Sequence, residues 1–235
     1  MPTFKKISVV IPAYNEVDTI IECINRVINS NILGLELEVV VSDNLSTDGT
    51  REILKALNEP GVKVVFRDTH SGKGANVKSA LSKVTGDIIL IQDADLEYNP
   101  KDYPNVLEPF FYAEADVVYG SRLTNAKYHR VFGILHLMAN RILTMTANVL
   151  FNATFTDIET ATKAFKKEVI LNLKLLSNGF EIEPEITAKI LRNKKLKVFE
   201  VPVSHAARLY SEGKKVRWWH FFTSMAALFR WRFFK

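Results

Sequence analysis

Two carboxylates one residue apart, Asp93 and Asp95, close a short apolar run, Ile88-Ile-Leu-Ile91. Such a run after Gly86-Asp87 reads as a strand buried on both faces. If the chain stays extended beyond it, side chains at i and i+2 point the same way. A strand that delivers two acids to its C-terminal tip makes an oxygen-rich site suited to Mg²⁺ or Mn²⁺. In open α/β sheets, ligands sit beyond the carboxyl ends of the strands. Asp-x-Asp by itself is also an ordinary polar exit from a strand, so its meaning depends on what else reaches the same edge.

A second candidate lies just upstream. His70-Ser-Gly-Lys-Gly74 opens a helix carrying Val77, Ala80, Leu81 and Val84. Glycines and a lysine at a helix start could receive phosphate through backbone N–H groups and the helix dipole, or could be a flexible turn. The Walker spacing is absent, and no Gly-x-Gly-x-x-Gly follows the first strand, which disfavours a dinucleotide site.

The elements that must position these residues alternate. Ile7–Ile11 is strand-like and stops at Pro12; a helix follows with Val17, Ile20, Ile21, Ile24, Val27 and Ile28 on one face, and Asn15 is its candidate cap. Leu37–Val41 is a strand leading into the polar loop from Ser42 to Thr50, then a short helix, then a strand at Val62–Phe66. A helix near 102–113 and a strand at Asp116–Gly120 continue the pattern. Strands and helices alternating at this spacing imply βαβ units and a parallel sheet.

After Arg122 the character changes. Val131–Phe151 is a long apolar helix with one polar stripe, His136, Asn140, Thr144 and Asn148, and with Arg141 beside it. That makes it a poor membrane span and a better buried or membrane-grazing helix. Acids crowd the start of a helix from Gly179, where dipole placement alone would account for them. The strand Lys197–Val203 contains Pro202, which suggests a sheet edge or strand end. The C-terminal stretch from Val216 interleaves tryptophan and phenylalanine with arginine, as an interfacial helix requires. Its alternative is a helix docked on the protein itself.

The 235 residues carry a net charge of +5, 47% hydrophobic and 24% charged residues, and a single cysteine. One or two globular domains fit the length, and the lone Cys23 excludes an internal disulfide framework and suits a reducing, cytoplasmic setting. The positive charge suits an anionic partner, either a nucleotide phosphate, a lipid phosphate or a membrane surface. Nucleic acid is not expected, since no recognition motif for it is present. Met1-Pro-Thr-Phe-Lys-Lys runs straight into a strand, so no secretory signal is expected. No uninterrupted apolar run reaches the ~18 residues of a spanning helix.

Taken in order, Val10-Ile-Pro-Ala-Tyr-Asn-Glu16, Ser42–Thr50, Gly72-Lys-Gly74, Gln92–Glu97, Gly120-Ser-Arg122, Thr156–Thr160 and Arg208–Lys215 resemble an inverting family 2 glycosyltransferase. The branch resembled is the dolichol-phosphate mannose synthase and polyprenyl-phosphate glycosyltransferase type. The resemblance implies a GT-A fold, a Rossmann-like, mostly parallel central sheet flanked by helices. It divides the chain into a glycosyltransferase domain at 1–215, with a nucleotide-sugar half at 1–122 and an acceptor half at 123–215, and an amphipathic aromatic helix at 216–235.

By position, the resemblance implies that Pro12, Ala13, Tyr14, Glu16 and Asp43 line the base and ribose pocket and that Lys73 sits near the nucleotide. Asp93 and Asp95 would hold the divalent ion, with Glu97 where the family often has a third ligand. Arg208, Lys214 and Lys215 would close over the phosphates about a hinge at Gly213. Arg122, Arg130 and His136 would hold the acceptor phosphate. Asp157 would be a base if the acceptor were a hydroxyl, or would orient Lys163 or an arginine. Asn44 and Leu45 depart from the usual acid and glycine, which leaves base and sugar preference open, and the oligomeric state is not readable.

The implied activity is metal-dependent, inverting transfer of a hexose-type sugar from a GDP-mannose-like or UDP-hexose-like donor to a polyprenyl or dolichyl phosphate at the cytoplasmic membrane face. The rival readings are transfer to a glycan or protein hydroxyl, and a nucleotide-sugar-binding membrane adaptor without turnover.

Overall fold

The computed structural model describes residues 4–124, 133–208 and 217–234. The elements run β1 (Lys6–Ala13), α1 (Ile20–Ile28), β2 (Glu36–Asp43), α2 (Thr50–Ala56), β3 (Val62–Phe66), α3 (Lys73–Leu81) and β4 (Ile88–Ile91). They continue with α4 (Tyr103–Tyr112), β5 (Val117–Ser121), α5 (Ile134–Phe151), β6 (Lys163–Lys166), α6 (Lys167–Asn172), α7 (Ile182–Arg192), β7 (Val198–Pro202) and α8 (Trp219–Phe233). The seven strands form one sheet in the order β3-β2-β1-β4-β6-β5-β7.

The central strands are apolar on both faces because both faces are covered. Val9, Ile11, Val39, Val41, Ile88 and Leu90 pack on one side with α1 and α4. Val10, Val40, Ile89 and Ile91 face the other side with Val77 and Ala80 of α3 and Ile182, Ile186 and Ile190 of α7. In parallel register Pro12 sits opposite Ser42, and Ala13 and Phe66 both sit opposite Asp43. The loops after β1, β2, β3 and β4 therefore leave from one edge, which is the edge a ligand uses in such sheets.

Two expectations are corrected. Strand β4 ends at Ile91, and Asp93 and Asp95 lie in the turn beyond it, not on an extended tip. Helix α1 begins at Ile20 with Thr19 as its cap residue, while the Asn15 side chain accepts the Thr47 N–H at 2.9 Å. Asn15 has a φ of 50°, so the chain turns here before the helix can start. The sheet also contains one reversed strand that the alternating pattern did not announce: β6 runs antiparallel to both β4 and β5. Pro202 is the last residue of β7, an edge strand, as its missing N–H requires.

A buried carboxylate joins the strand starts opposite the functional edge. Glu38 accepts bonds from Ser8 Oγ, from Lys63 Nζ at 2.6 Å, and from the Thr85 N–H and Oγ1, each at 2.8 Å. Burial alone would raise its carboxyl, but the bonds from Lys63, Ser8 and Thr85 outweigh it and hold it near 2, below the ordinary 4.5. A depressed folded-state value contributes stability above the unfolded value and loses it as pH falls through the folded one. Glu38→Gln should therefore lower the melting temperature at pH 7 and flatten the acid-induced loss of stability between about pH 4.5 and 2, read by thermal unfolding across that range.

Candidate functional site

A cavity of about 1060 Å³ opens at the carboxyl edge of the sheet. Its walls come from the loops after β1, β2, β3 and β4, from Arg122 after β5, and from α5, α7 and α8. Of the residues singled out in the sequence, Pro12, Ala13, Tyr14, Glu16, Lys73, Asp93, Asp95, Glu97, Arg122, His136 and Arg208 all line it. Asp43 and Asp157 stand behind the wall, fully buried. Arg130, Lys214, Lys215 and Gly213 lie outside the described residues.

The first end of the cavity is built by the exits of β1 and β2. Asn76 on α3 ties them together, donating to the carbonyls of Ala13 at 3.0 Å and Ser42 at 2.8 Å while accepting from Ser42 Oγ at 2.5 Å. Asp43 accepts from Arg51 at 2.9 Å and from the Ser46 N–H at 3.2 Å, so it shapes this loop from beneath. The residue that reaches the cavity here is Asn44, whose amide and carbonyl each lie 3.2 Å from His70 Nδ1. The rings of His70 and Tyr14 are 4.3 Å apart. Neither Asn44 nor His70 stands out in the sequence as a site residue. The departure at Asn44 was visible there, but its pairing with His70 needs β3 folded beside β2.

The glycine-lysine turn at the start of α3 is packed, not open. The Gly74 and Ala75 N–H groups donate to the carbonyls of Gly179 and Asn178 at 3.2 and 3.0 Å. A Cβ on Gly72 would stand 2.7 Å from Asn178 O, and one on Gly74 would stand 2.5 Å from Ser177 O. The glycines serve this close backbone approach. What the turn presents to the cavity is Lys73, which bonds Asp93 at 2.8 Å and Glu183 at 3.2 Å. Glu183 in turn pairs with Lys163, fully buried in β6. Burial alone would lower the Lys73 ammonium, but Asp93 and Glu183 hold it above its ordinary value. The Glu183 carboxyl is held below its ordinary value in spite of burial, first by Lys163 and then by Lys73. The crowded acids at the start of α7 thus do more than meet a helix dipole. Glu185 also accepts the N–H groups of Leu176 and Ser177, at 2.8 and 2.7 Å.

Asp95 and Glu97 continue the acidic turn. Burial, then the like charges of Asp93 and Glu97, push the Asp95 carboxyl up to about 7. A half-buried turn with clustered carboxylates as hard oxygen donors fits a divalent cation. Asp93 and Asp95 are the residues that would hold one. Glu97 is engaged with the chain, accepting the Arg208 N–H at 2.8 Å and lying 2.9 Å from His205 Nε2. Arg208 reaches across to Glu16 at 3.1 Å, which joins the two ends of the chain over the cavity.

The opposite wall holds Arg122. Its Nε and Nη2 donate to the two oxygens of Asp157 at 2.6 and 2.8 Å, and its backbone N–H adds a third bond at 3.1 Å. Asn140 of α5 donates the fourth at 2.8 Å. All lone-pair directions of Asp157 are thus taken. Burial would raise its carboxyl, but Arg122 outweighs this and holds it below the ordinary range. Both oxygens of Asp157 are thus engaged by Arg122 and Asn140. The polar stripe of α5 is accounted for in the same way: Asn140 meets Asp157, Thr144 Oγ1 accepts the Ile158 N–H at 3.3 Å, and Asn148 pairs with Phe155.

Beyond Arg122 the cavity turns apolar, between Ile134, Leu135 and Leu143 of α5 and Trp218, Phe221 and Phe222 at the start of α8. Helix α8 is docked on the protein through Ala227, Leu228 and Trp231, against Ala147, Phe151 and Leu191. Its smaller side, Ser224 and Ala227, faces inward, and Phe229 and Phe233 face out. Helix α5 is likewise turned, with Ile142, Met145 and Val149 exposed and its polar stripe inward.

A three-layer α/β fold with one reversed strand beside β4, and acids and cations gathered past the strand ends, is the GT-A architecture of enzymes that handle nucleotide-sugars. Residues 8–171 match the profile described as glycosyl transferase family 2, and the chain belongs to that family. A dolichol-phosphate mannosyltransferase of Pyrococcus furiosus is 30% identical over 213 residues, 89% of this chain and 59% of that protein. An undecaprenyl-phosphate 4-deoxy-4-formamido-L-arabinose transferase of Edwardsiella ictaluri is 26% identical over 216 residues, 90% of this chain and 63% of that protein. The chain thus spans about three fifths of the length of these relatives, 59% and 63%. Among solved structures, glucosyl-3-phosphoglycerate synthase from Mycobacterium tuberculosis, in complex with Mn²⁺, uridine diphosphate and phosphoglyceric acid, has a TM-score of 0.74 at 20% identity. That match covers 98% of this chain and 80% of the other, and it is a likeness of fold.

Breaking one side of a buried ion pair leaves an uncompensated charge, at a cost of about 3–5 kcal/mol. Arg122→Ala and Asp157→Ala should each lose about that much unfolding free energy in urea, and the double variant should lose clearly less than their sum.

Proposed function

We propose that this protein transfers a hexose-type sugar, with inversion, from a nucleoside-diphosphate donor to a polyprenyl phosphate at a membrane surface. The observation that carries the reading is the single cavity in which a charged end, with Asp93, Asp95, Lys73 and Arg208, continues past Arg122 into apolar walls from α5 and α8. A donor diphosphate suits the first part, a phosphate head group suits Arg122, and an isoprenoid chain suits the last. The relatives' names point to the same acceptor class.

The chemistry asks little acid–base work of the protein. A phosphate monoester is already anionic at neutral pH, so its oxygen can attack the anomeric carbon without a general base. The bond from that carbon to the diphosphate breaks, and the nucleoside diphosphate leaves with the electron pair. Arg122, held in a fixed orientation by Asp157, would position the attacking phosphate, as a bidentate guanidinium does well. Lys73 and Arg208 would stabilise charge building on the leaving diphosphate. Mg²⁺ or Mn²⁺ held by Asp93 and Asp95 would add Lewis-acid stabilisation of the same charge.

The outward faces of α5 and α8 support membrane attachment. Val149 is 75% exposed, and Met145 and Phe233 are each 64% exposed, all outside the cavity wall. Contiguous apolar surface of this kind marks an interaction site, and aromatic rings with arginines beside them suit a lipid interface. Arg230 and Arg232 lie on the same helix. The cytoplasmic face is the side on which nucleotide-sugars and a lone reduced cysteine are expected to coexist.

Radiolabelled GDP-mannose or UDP-hexose, incubated with a short polyprenyl phosphate and Mn²⁺, should yield label in the lipid fraction. Asp95→Ala should reduce that yield by roughly 10²–10³-fold, the usual loss when charge stabilisation at a leaving group is removed. No lipid label from any common donor, with label appearing instead on a soluble glycan, would move the acceptor to a hydroxyl. Separately, Ile142→Ser, Met145→Ser and Phe233→Ser together should weaken co-sedimentation with anionic liposomes while donor binding by calorimetry stays unchanged, since all three side chains are exposed outside the cavity wall.

A further inference from the structure

Glu159 lines the cavity, yet neither the proposed cation site nor the proposed phosphate sites use it. Its Oε1 is closed off from solvent and has no hydrogen-bond partner among the described residues. Leaving a buried acceptor unmatched is costly, so such a group in a binding cavity stands ready for a donor that arrives. The charges around it are Lys163 and Glu183 on one side and Arg122 and Asp157 on the other. Both cations are already matched, Lys163 with Glu183 and Arg122 with Asp157. Burial, the larger effect, pushes the Glu159 carboxyl up to about 7 against the pull of Lys163.

Position gives the missing donor its identity. The Lys163–Glu183–Lys73–Asp93 chain leads from Glu159 to the turn where a donor diphosphate would sit. The Arg122–Asp157 pair leads to where the acceptor phosphate would sit. The group that lies between a leaving diphosphate and an attacking phosphate is the sugar in transit. Resting on the transfer reading above, we propose that Glu159 is a specificity-determining contact that receives hydroxyl groups of the transferred sugar. A carboxylate accepts from neighbouring hydroxyls. In its ionised form the same group repels a sugar carboxylate, because the two cations beside it, Lys163 and Arg122, are committed to Glu183 and Asp157. The site therefore selects neutral hexoses with an intact hydroxyl pattern over hexuronic and deoxy sugars. A site built to bond a hydroxyl discriminates strongly against the analogue that lacks it.

The test compares the whole chain with Glu159→Ala and Glu159→Gln in Mn²⁺. Calorimetry would measure UDP, UDP-glucose and UDP-glucuronate, and in parallel GDP and GDP-mannose. The sugar-dependent gain in affinity, the ratio of nucleotide-sugar to bare nucleoside diphosphate, should fall about tenfold or more in Glu159→Ala. Affinity for bare UDP or GDP should stay within about twofold, and preference for glucose over glucuronate should shrink. Because Oε1 has no partner to lose, neither variant should lower the melting temperature. An unchanged sugar ratio, a matching loss for the bare diphosphate, or a lower melting temperature in Glu159→Gln would each overturn the assignment. Binding ratios need no acceptor, so they read Glu159 even if lipid phosphate proves not to be the substrate. Loss of lipid labelling in the wild type with the ratios as expected would overturn the acceptor reading alone.

Discussion

A row of alternating charges, Asp93, Lys73, Glu183 and Lys163, runs from the cavity wall into the interior, where Lys163 is fully buried. Each member comes from a different part of the chain: the turn after β4, the start of α3, the start of α7 and strand β6. A buried lysine with no partner would shed its proton, and a buried carboxylate would gain one. Alternation removes that penalty for both signs together. It also means that the acidic turn cannot be placed without α7 and β6 in place. The two halves of the chain are thus joined by electrostatics at the point where the site needs them rigid.

The same logic appears in the second pair of charges. Asp157 spends all its acceptor capacity on Arg122 and Asn140, which leaves a guanidinium with one orientation and a fixed height above the sheet edge. Preorganised donors of this kind stabilise charge without reorganising when it develops. Among the acids lining the cavity, Asp95 and Glu159 are both raised to about 7, chiefly by burial. Unmet polar capacity is concentrated where ligand groups would supply what the protein does not.

Helices α5 and α8 invert the usual arrangement of a surface helix. Beside a few buried apolar anchors, Leu143 and Phe151 in α5 and Leu228 and Trp231 in α8, small and polar residues pack on the protein, while many other large apolar residues face out. In α5 this follows from Asn140, Thr144 and Asn148, each bonded to the segment around residues 155–158. In α8 it follows from Ser224 and Ala227, small enough for close approach to α7 and α5. An outward apolar face is costly in water and favourable at a lipid boundary. The cavity's apolar end opens between the same two helices, so one surface serves both the proposed acceptor chain and the proposed membrane contact.

Several features are legible in the residues alone. Apolar runs bounded by turn residues mark β1, β2 and β4 and their burial on two faces, and the helical spacing from Ile20 to Ile28 marks α1. The acids at the end of β4 and the order of the short motifs point to the family. These signals are local, carried by period and composition within about ten residues. Other features depend on contacts across the chain. Lys163-Ala-Phe-Lys166 does not read as a strand, since lysine is out of place in the middle of a sheet until Glu183 neutralises it. The glycines at 72 and 74 suggest a phosphate loop, until the chain at Asn178 and Gly179 is seen to occupy the helix start. The four hydrogen bonds that Asp157 accepts from Arg122 and Asn140 are likewise invisible in the sequence. Glu16 and Arg208 meet across 192 positions. Local period and composition mark most of the strands and helices, though not β6, and name the acids and bases available; which charges are paired off and which are left facing the cavity depends on distances that only the folded topology sets.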